Sequence, residues 1–354
     1  MNPFNQKMSE KLGGFPIGVW LPYYRSDFSV DYLKEIRSCG VNFVPSISSG
    51  EEERKAIAAA GLKVLLNDDR VTYCNVTGIG RLKEWLSEYT QDENVIGIFV
   101  WDEPSPAMMR ICGAINETVQ SICPETFGFI NLHPEYSDRE KQRDGKTYEE
   151  YLDFFVKTCA PKVICYDNYP FYKDGFHADS FFSNLSDIAA CARKNGLPFW
   201  AFIQSASFGE NIKPSAAQMR FQVFATLAYG GQGILYFTYR EVVHENGFGA
   251  GLLDREGKKT DLYFCAKEIN ADVSKMGNLL LSLKHTGVAG TGKYRRFSTT
   301  ESPCEGKDLF IGLFSGENGD YALAVNGDFE NETVITRGGK KYMLAAGGGT
   351  LIKL

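Results

Sequence analysis

Residues 95–106 read Val95-Ile96-Gly97-Ile98-Phe99-Val100-Trp101-Asp102-Glu103-Pro104-Ser105-Pro106. The apolar run from Val95 to Trp101, rich in β-branched and aromatic side chains, has the make-up of a strand buried on both faces. Asp102 and Glu103 close it with charge, and Pro106 opens a stretch of helical period that continues to Cys123. A strand passing straight into a helix is half of a βαβ unit, so the question is how often the unit recurs.

It recurs in both directions. Short apolar runs lie at Phe15 to Leu21, Val41 to Ile47, Leu62 to Leu66, Val95 to Trp101, Phe127 to Leu132, Val163 to Tyr166, Phe199 to Ile203 and Gly233 to Phe237. Helical stretches follow them at Val30 to Cys39, Glu51 to Ala60, Ile79 to Tyr89, Pro106 to Cys123, Tyr148 to Thr158, Ser180 to Asn195, Ser215 to Tyr229 and Leu262 to Leu283. Gly40, Gly61 and Gly196 stand just past helix ends, where a residue tolerating positive φ is favoured. Eight βα units in about 270 residues predict an α/β fold, a (β/α)8 TIM barrel. An open dinucleotide-binding sheet would carry an early G-x-G-x-x-G, and none follows the first strand. After Leu283 the pattern changes to short alternating segments, Asp308 to Phe314, Tyr321 to Asn326, Thr333 to Thr336 and Thr350 to Leu354, between Gly-rich turns. These predict a small antiparallel, β-sandwich-like domain, with boundaries at 1–284 for the barrel and 285–354 for the β domain.

Composition narrows the function. The 354 residues are 44% apolar and 23% charged, with net charge -6 from 38 Lys+Arg and 44 Asp+Glu, and no basic cluster is present. A phosphate backbone has nothing to bind to, so nucleic acid is not an expected partner. Nine cysteines without a C-x-x-C pair disfavour a zinc site and a disulfide framework and suggest a reducing compartment. No 18-residue apolar run occurs, so no membrane span is expected. The location expected is cytoplasmic as the sequence stands, or exported had a leader been removed. Neither a phosphate-loop pattern nor a paired-histidine motif appears, and no cofactor or metal is expected. His133, at the end of the fifth strand, is the histidine best placed for chemistry.

In a TIM barrel the chemistry sits where strands end. Here those ends read Trp101-Asp102-Glu103-Pro104, Tyr166-Asp167-Asn168-Tyr169-Pro170, Gln204-Ser205 and Tyr239-Arg240-Glu241. A carboxyl pair across the mouth can cleave an acetal, one group protonating the leaving oxygen while the other attacks or activates water. Glu103 and Asp167 are the expected catalytic pair. Trp20, Tyr23, Trp101, Asp102, Asn168, Tyr169, Gln204, Tyr239 and Glu241 are the candidates for binding substrate, aromatic faces stacking on sugar rings. Each has a plainer reading: Asp-Glu-Pro as a helix start, Asp167 as an Asx-turn residue, the tyrosines as seals of the barrel top.

The strand-four and strand-six motifs, with 230–237 (Gly230-Gly231-Gln232-Gly233-Ile234-Leu235-Tyr236-Phe237) and Gly251-Leu252-Leu253-Asp254, resemble (β/α)8 glycoside hydrolases of the clan that includes family 42 β-galactosidases. The resemblance extends to Ala322-Leu323-Ala324-Val325-Asn326 in the β domain. It implies a glutamate acid/base at the end of strand four, which Glu103 matches, preceded usually by Asn where this chain has Asp102. It also implies a glutamate nucleophile at the end of strand seven, where this chain has Gln204. The second carboxylate must then come from elsewhere, Asp167 first, with Glu210, Glu241, Glu245 and Asp102 as alternatives. The expected function is hydrolysis of O-glycosidic bonds in an oligosaccharide or glycoside, with Glu103 as general acid/base and Asp167 as nucleophile or base. The alternatives are an inactive carbohydrate-binding barrel, or a lyase or transglycosidase on the same scaffold.

Overall fold

The computed structural model describes residues 2–22, 29–46, 50–72, 78–243 and 247–354; Tyr23, Tyr24 and Glu245 lie outside them. Strands β1 (Ile17–Val19), β2 (Phe43–Ser46), β3 (Lys63–Leu66), β4 (Val95–Asp102), β5 (Gly128–Leu132), β6 (Ile164–Asp167), β7 (Phe199–Gln204) and β8 (Ile234–Phe237) form the barrel. All pair in parallel, and β1 closes the ring by pairing with both β2 and β8. The eight lie where the apolar runs place them. Helices follow them over Val30–Ser38, Glu51–Ala59, Leu82–Ser87, Pro106–Ile122, Tyr148–Cys159, Ala178–Asn195, Ala216–Ala228 and Asp261–Ser282. The left-handed φ values of Gly40, Gly61 and Gly196 (89°, 75° and 65°) end three of them as expected.

The barrel is filled, not hollow. Phe43, Phe127 and Trp200 meet inside it, with ring centroids 5.4 and 5.7 Å from Trp200. Below them a helix that the sequence reading did not foresee, Pro3–Leu12, closes the N-terminal end. Its apolar residues are Phe4, Met8 and Leu12, a single stripe at i, i+4 and i+8 on an otherwise polar segment. Phe4 stands edge-on to Phe127 at 5.1 Å.

The chain leaves the barrel as a four-stranded antiparallel sheet, ordered Lys284–Gly290, Leu309–Gly316, Gly319–Asn326 and Gly349–Lys353, with a hairpin of Thr333–Arg337 and Lys340–Leu344 beside it. The strand 284–290 was also unforeseen, because a register shift between His285 and Gly287 breaks its alternation. The sheet lies against the helix Ala216–Ala228. Phe310 stacks on Tyr229 at 5.2 Å and meets Phe182 at 4.9 Å, and a Cβ at Gly312 would overlap the carbonyl oxygen of Ala228. Since 284–290 is paired along its length with 309–316, limited proteolysis is expected to spare this junction and unfolding to proceed in one transition. Early cutting there with release of a stable barrel would show the sheet to be an appendage. Among the described residues no helix is long and apolar enough to cross a membrane.

Candidate functional site

The ends of β4, β5 and β6 build an acidic floor at the barrel mouth. Along β5 and β6 strict alternation sends Phe129, Asn131 and Cys165 inward, and continues it to His133 and Asp167. On β4 the register shifts between Phe99 and Trp101, which pairs Trp101 with Ile130 and Asp102 with Asn131. The shift turns Asp102 into the barrel. Glu103 would then face away on a regular strand, but its φ of 50° breaks the extended conformation. Its backbone N–H donates to the Asn131 carbonyl at 2.8 Å, and its carboxylate lies 3.3 Å from Nδ1 of His133. A left-handed non-glycine residue costs on the order of 1–2 kcal/mol, a strain that clusters at functional sites. Two adjacent carboxylates thereby share one mouth.

Asn131 joins the floor together. Its Nδ2 donates to Oδ1 of Asp102 at 3.0 Å and to Oδ1 of Asp167 at 3.3 Å. The helix Tyr148–Cys159 pins the frame from outside: Tyr151 donates its hydroxyl to the Pro104 carbonyl and receives the His133 N–H, while Tyr148 donates to the His133 carbonyl. Asp102 is exposed and Asp167 half-buried, although protein atoms surround both closely. Groups that solvent reaches but protein encloses lie at the bottom of a recess. Tyr136, 46% exposed, stands over it with its hydroxyl near Asp167 and Tyr172.

Enclosure sets the protonation. Desolvation lifts the Asp102 carboxyl to about 6, with the Glu103 charge adding to the rise and the Asn131 hydrogen bond opposing it. Desolvation, then the charges of Glu103 and Asp102, hold the Asp167 carboxyl well above the usual carboxylate range. Burial, with the two neighbouring carboxylates adding to it, favours the protonated form of Asp167 in the free protein. A carboxyl whose pKa rises on folding stabilises the fold fully below its unfolded value of 3.8, and the contribution is lost as pH rises through about 6. Asp102→Asn is therefore expected to stabilise the protein above pH 6 and to add nothing below the unfolded value. The gain is about 1 kcal/mol once screening at an exposed group is allowed for. Melting curves across that range check it; equal melting temperatures for variant and wild type at neutral pH would contradict it.

The other candidates divide. Trp20, half-buried at the end of β1, meets Phe99 and Phe202 edge-on at 5.7 and 6.4 Å at the top of the barrel interior. Tyr169 is buried in the same cluster, with its hydroxyl close enough to Asp167 and Asp102 to feel their charge. Trp101 packs outward against the helix layer. Asn168 turns its amide to Asn184 on the following helix, at 3.0 Å. Tyr239 is buried on the outer side, edge-on to Tyr32 at 5.7 Å, and Glu241 lies 3.4 Å from Arg255. Gln204 uses its whole amide on backbone, receiving the Phe171 N–H and donating to the carbonyls of Phe171 and Ile212. It braces the loops after β6 and β7. Of the alternatives for the second carboxylate, Glu210 is exposed and paired with Lys173 at 3.1 Å.

Among the described residues, the opposite half of the mouth presents aromatic side chains. Phe237 at the end of β8 and Phe208 beyond β7 pack, with Trp20, on the barrel interior and keep part of their surface exposed. Phe248 stacks on Phe208 at 5.5 Å and 24°, and Tyr169 closes the group 5.0 Å from Phe208. Asn131, Tyr136, Phe208 and Phe248 were not among the sequence candidates. Asn131 was within reach, being two residues from His133 on the inward face of β5.

No protein-family model and no curated protein sequence matches the chain. Solved structures do. A β-galactosidase from the psychrophilic Marinomonas ef1 superposes with a TM-score of 0.59 at 12% identity, over 77% of this chain and 62% of that one. A structure described as a glycoside hydrolase matches with a TM-score of 0.57 at 13% identity, over 96% and 89%. An endoglucanase matches with a TM-score of 0.51 at 11% identity, over 75% and 99%. The likeness is one of fold. The chain spans about three fifths of the length of the β-galactosidases it matches.

Proposed function

We propose that this protein hydrolyses O-glycosidic bonds, with Glu103 and Asp167 as the working carboxyl pair. The observation that carries the reading is the floor itself: three carboxyl groups and an imidazole at the mouth, held by Asn131 and by a left-handed Glu103. Acetal cleavage needs one protonated carboxyl and one basic one, and neighbours that push their pKa values apart supply both. A general acid must hold its proton at the working pH. Asp167, enclosed and beside two other carboxyls, is the group that does so, which makes it the proton donor to the leaving oxygen. Glu103, with its side chain 36% exposed beside His133, is the base or nucleophile. This exchanges the two roles expected from the sequence while keeping the pair.

Similarity in fold to galactosidase, glucanase and other glycoside hydrolase structures supports a carbohydrate substrate. Product analysis tests the reaction class. A free reducing sugar supports hydrolysis, whereas an unsaturated sugar points to a lyase and a longer one to a transglycosidase. The binding-only reading draws on Gln204, whose amide is committed to backbone where a carboxylate was expected. Saturable sugar binding without any product would establish it.

A further inference from the structure

We propose that the aromatic half of the mouth, formed by Trp20, Phe208, Phe237 and Phe248, is the binding position for an apolar aglycone, so that the substrates are glycosides of alkyl or aryl alcohols. The inference rests on the glycosidase reading and names its substrate class. A sugar ring carries hydroxyls on every side and needs donors and acceptors around it. The β4–β6 half of the mouth provides them in Asp102, Glu103, Asn131, His133 and Tyr136.

The β7–β8–β1 half differs in kind. Trp20, Phe208 and Phe237 rest on the barrel interior and leave their remaining surface open, and Phe248 extends the wall by stacking on Phe208. Among the described residues, Gln204, Ser205, Asn211 and Thr238 of these segments are buried and donate to backbone carbonyls, and Ser207 next to Phe208 is half-buried. Among the described residues a second sugar placed here would meet few polar side chains to pair with its hydroxyls, and each hydroxyl buried without a partner weakens binding. An alkyl or aryl group loses nothing and gains by leaving water. The leaving oxygen then lies between the two halves, within reach of the acidic floor, and its carbon chain lies on the aromatic wall.

The test uses methyl and n-hexyl glycosides of whichever sugar the wild type releases from a nitrophenyl glycoside panel. Methanol and hexanol are leaving groups of similar acidity, so a difference between them reports binding and not chemistry. The wild type is expected to favour the hexyl glycoside by roughly tenfold or more in kcat/KM, the gain from burying as few as two methylenes. Phe208→Ala and Phe248→Ala are each expected to bring that ratio toward unity, and Phe208→Leu to restore part of it. Equal kcat/KM for methyl and hexyl glycosides in the wild type, or a ratio untouched in both alanine variants, would overturn the proposal. The wild-type comparison holds even if an alanine variant does not fold. Failure to release sugar from any glycoside would instead overturn the glycosidase reading, and this one with it.

Discussion

Asp167→Asn is expected to slow hydrolysis of a methyl glycoside by about 10³-fold, within the range of lost general-acid catalysis, and that of a dinitrophenyl glycoside by roughly tenfold or less. The difference follows from the leaving group. Methoxide cannot depart without a proton, whereas an activated phenolate needs little help. Asparagine keeps the size of Asp167 and retains an oxygen to receive the Asn131 N–H, so a change in rate reports chemistry more than packing. Glu103→Gln is expected to slow both substrates by about 10³-fold, since a base or nucleophile is required whatever departs. Rates for the two variants on both substrates decide the matter. The reverse pattern, leaving-group dependence in Glu103→Gln and uniform loss in Asp167→Asn, would return the proton to Glu103, where the clan resemblance placed it.

Gly312→Val is expected to destabilise the whole chain by about 3 kcal/mol, the upper end of overpacking costs. The first carbon of any side chain at this position would overlap the carbonyl oxygen of Ala228. The sheet would have to lift from the helix Ala216–Ala228, separating Phe310 from Tyr229 and Phe182. Denaturant unfolding measures the loss. A variant that unfolds at the wild-type midpoint would show that the close approach of sheet and helix is not needed for stability.

The fold was legible because its signal is repeated. Each of the eight strands is an apolar run followed by a helix, and one weak boundary does not alter the count. The helix Pro3–Leu12 was missed because three apolar residues on a polar segment form a pattern too sparse to stand out. At the site, position at strand ends singled out Asp102, Glu103 and Asp167 as candidates, and the structure brings them to one mouth. Which way each neighbour points was not readable, since a one-residue register shift exchanges the two faces of a strand. The shift between Phe99 and Trp101 sends Trp101 outward and Asp102 inward, and the φ of Glu103 brings a second carboxylate to the same side. Tyr239 was read as part of the mouth, yet beyond β8 the alternation lapses and its ring lies against Tyr32. Gln204 was weighed as a replaced nucleophile, and its three backbone hydrogen bonds make it a brace. Phe208 and Phe248 come from loops, whose meeting no periodicity foretells.

The most direct test of the account is a panel of nitrophenyl glycosides, covering common hexoses in both anomeric configurations, assayed with wild type and Glu103→Gln side by side under identical conditions. Release of nitrophenol from at least one glycoside by the wild type, accompanied by free sugar and reduced in the variant, is the predicted result. No release from any glycoside by the wild type, or equal rates for the two proteins on every active substrate, would contradict it.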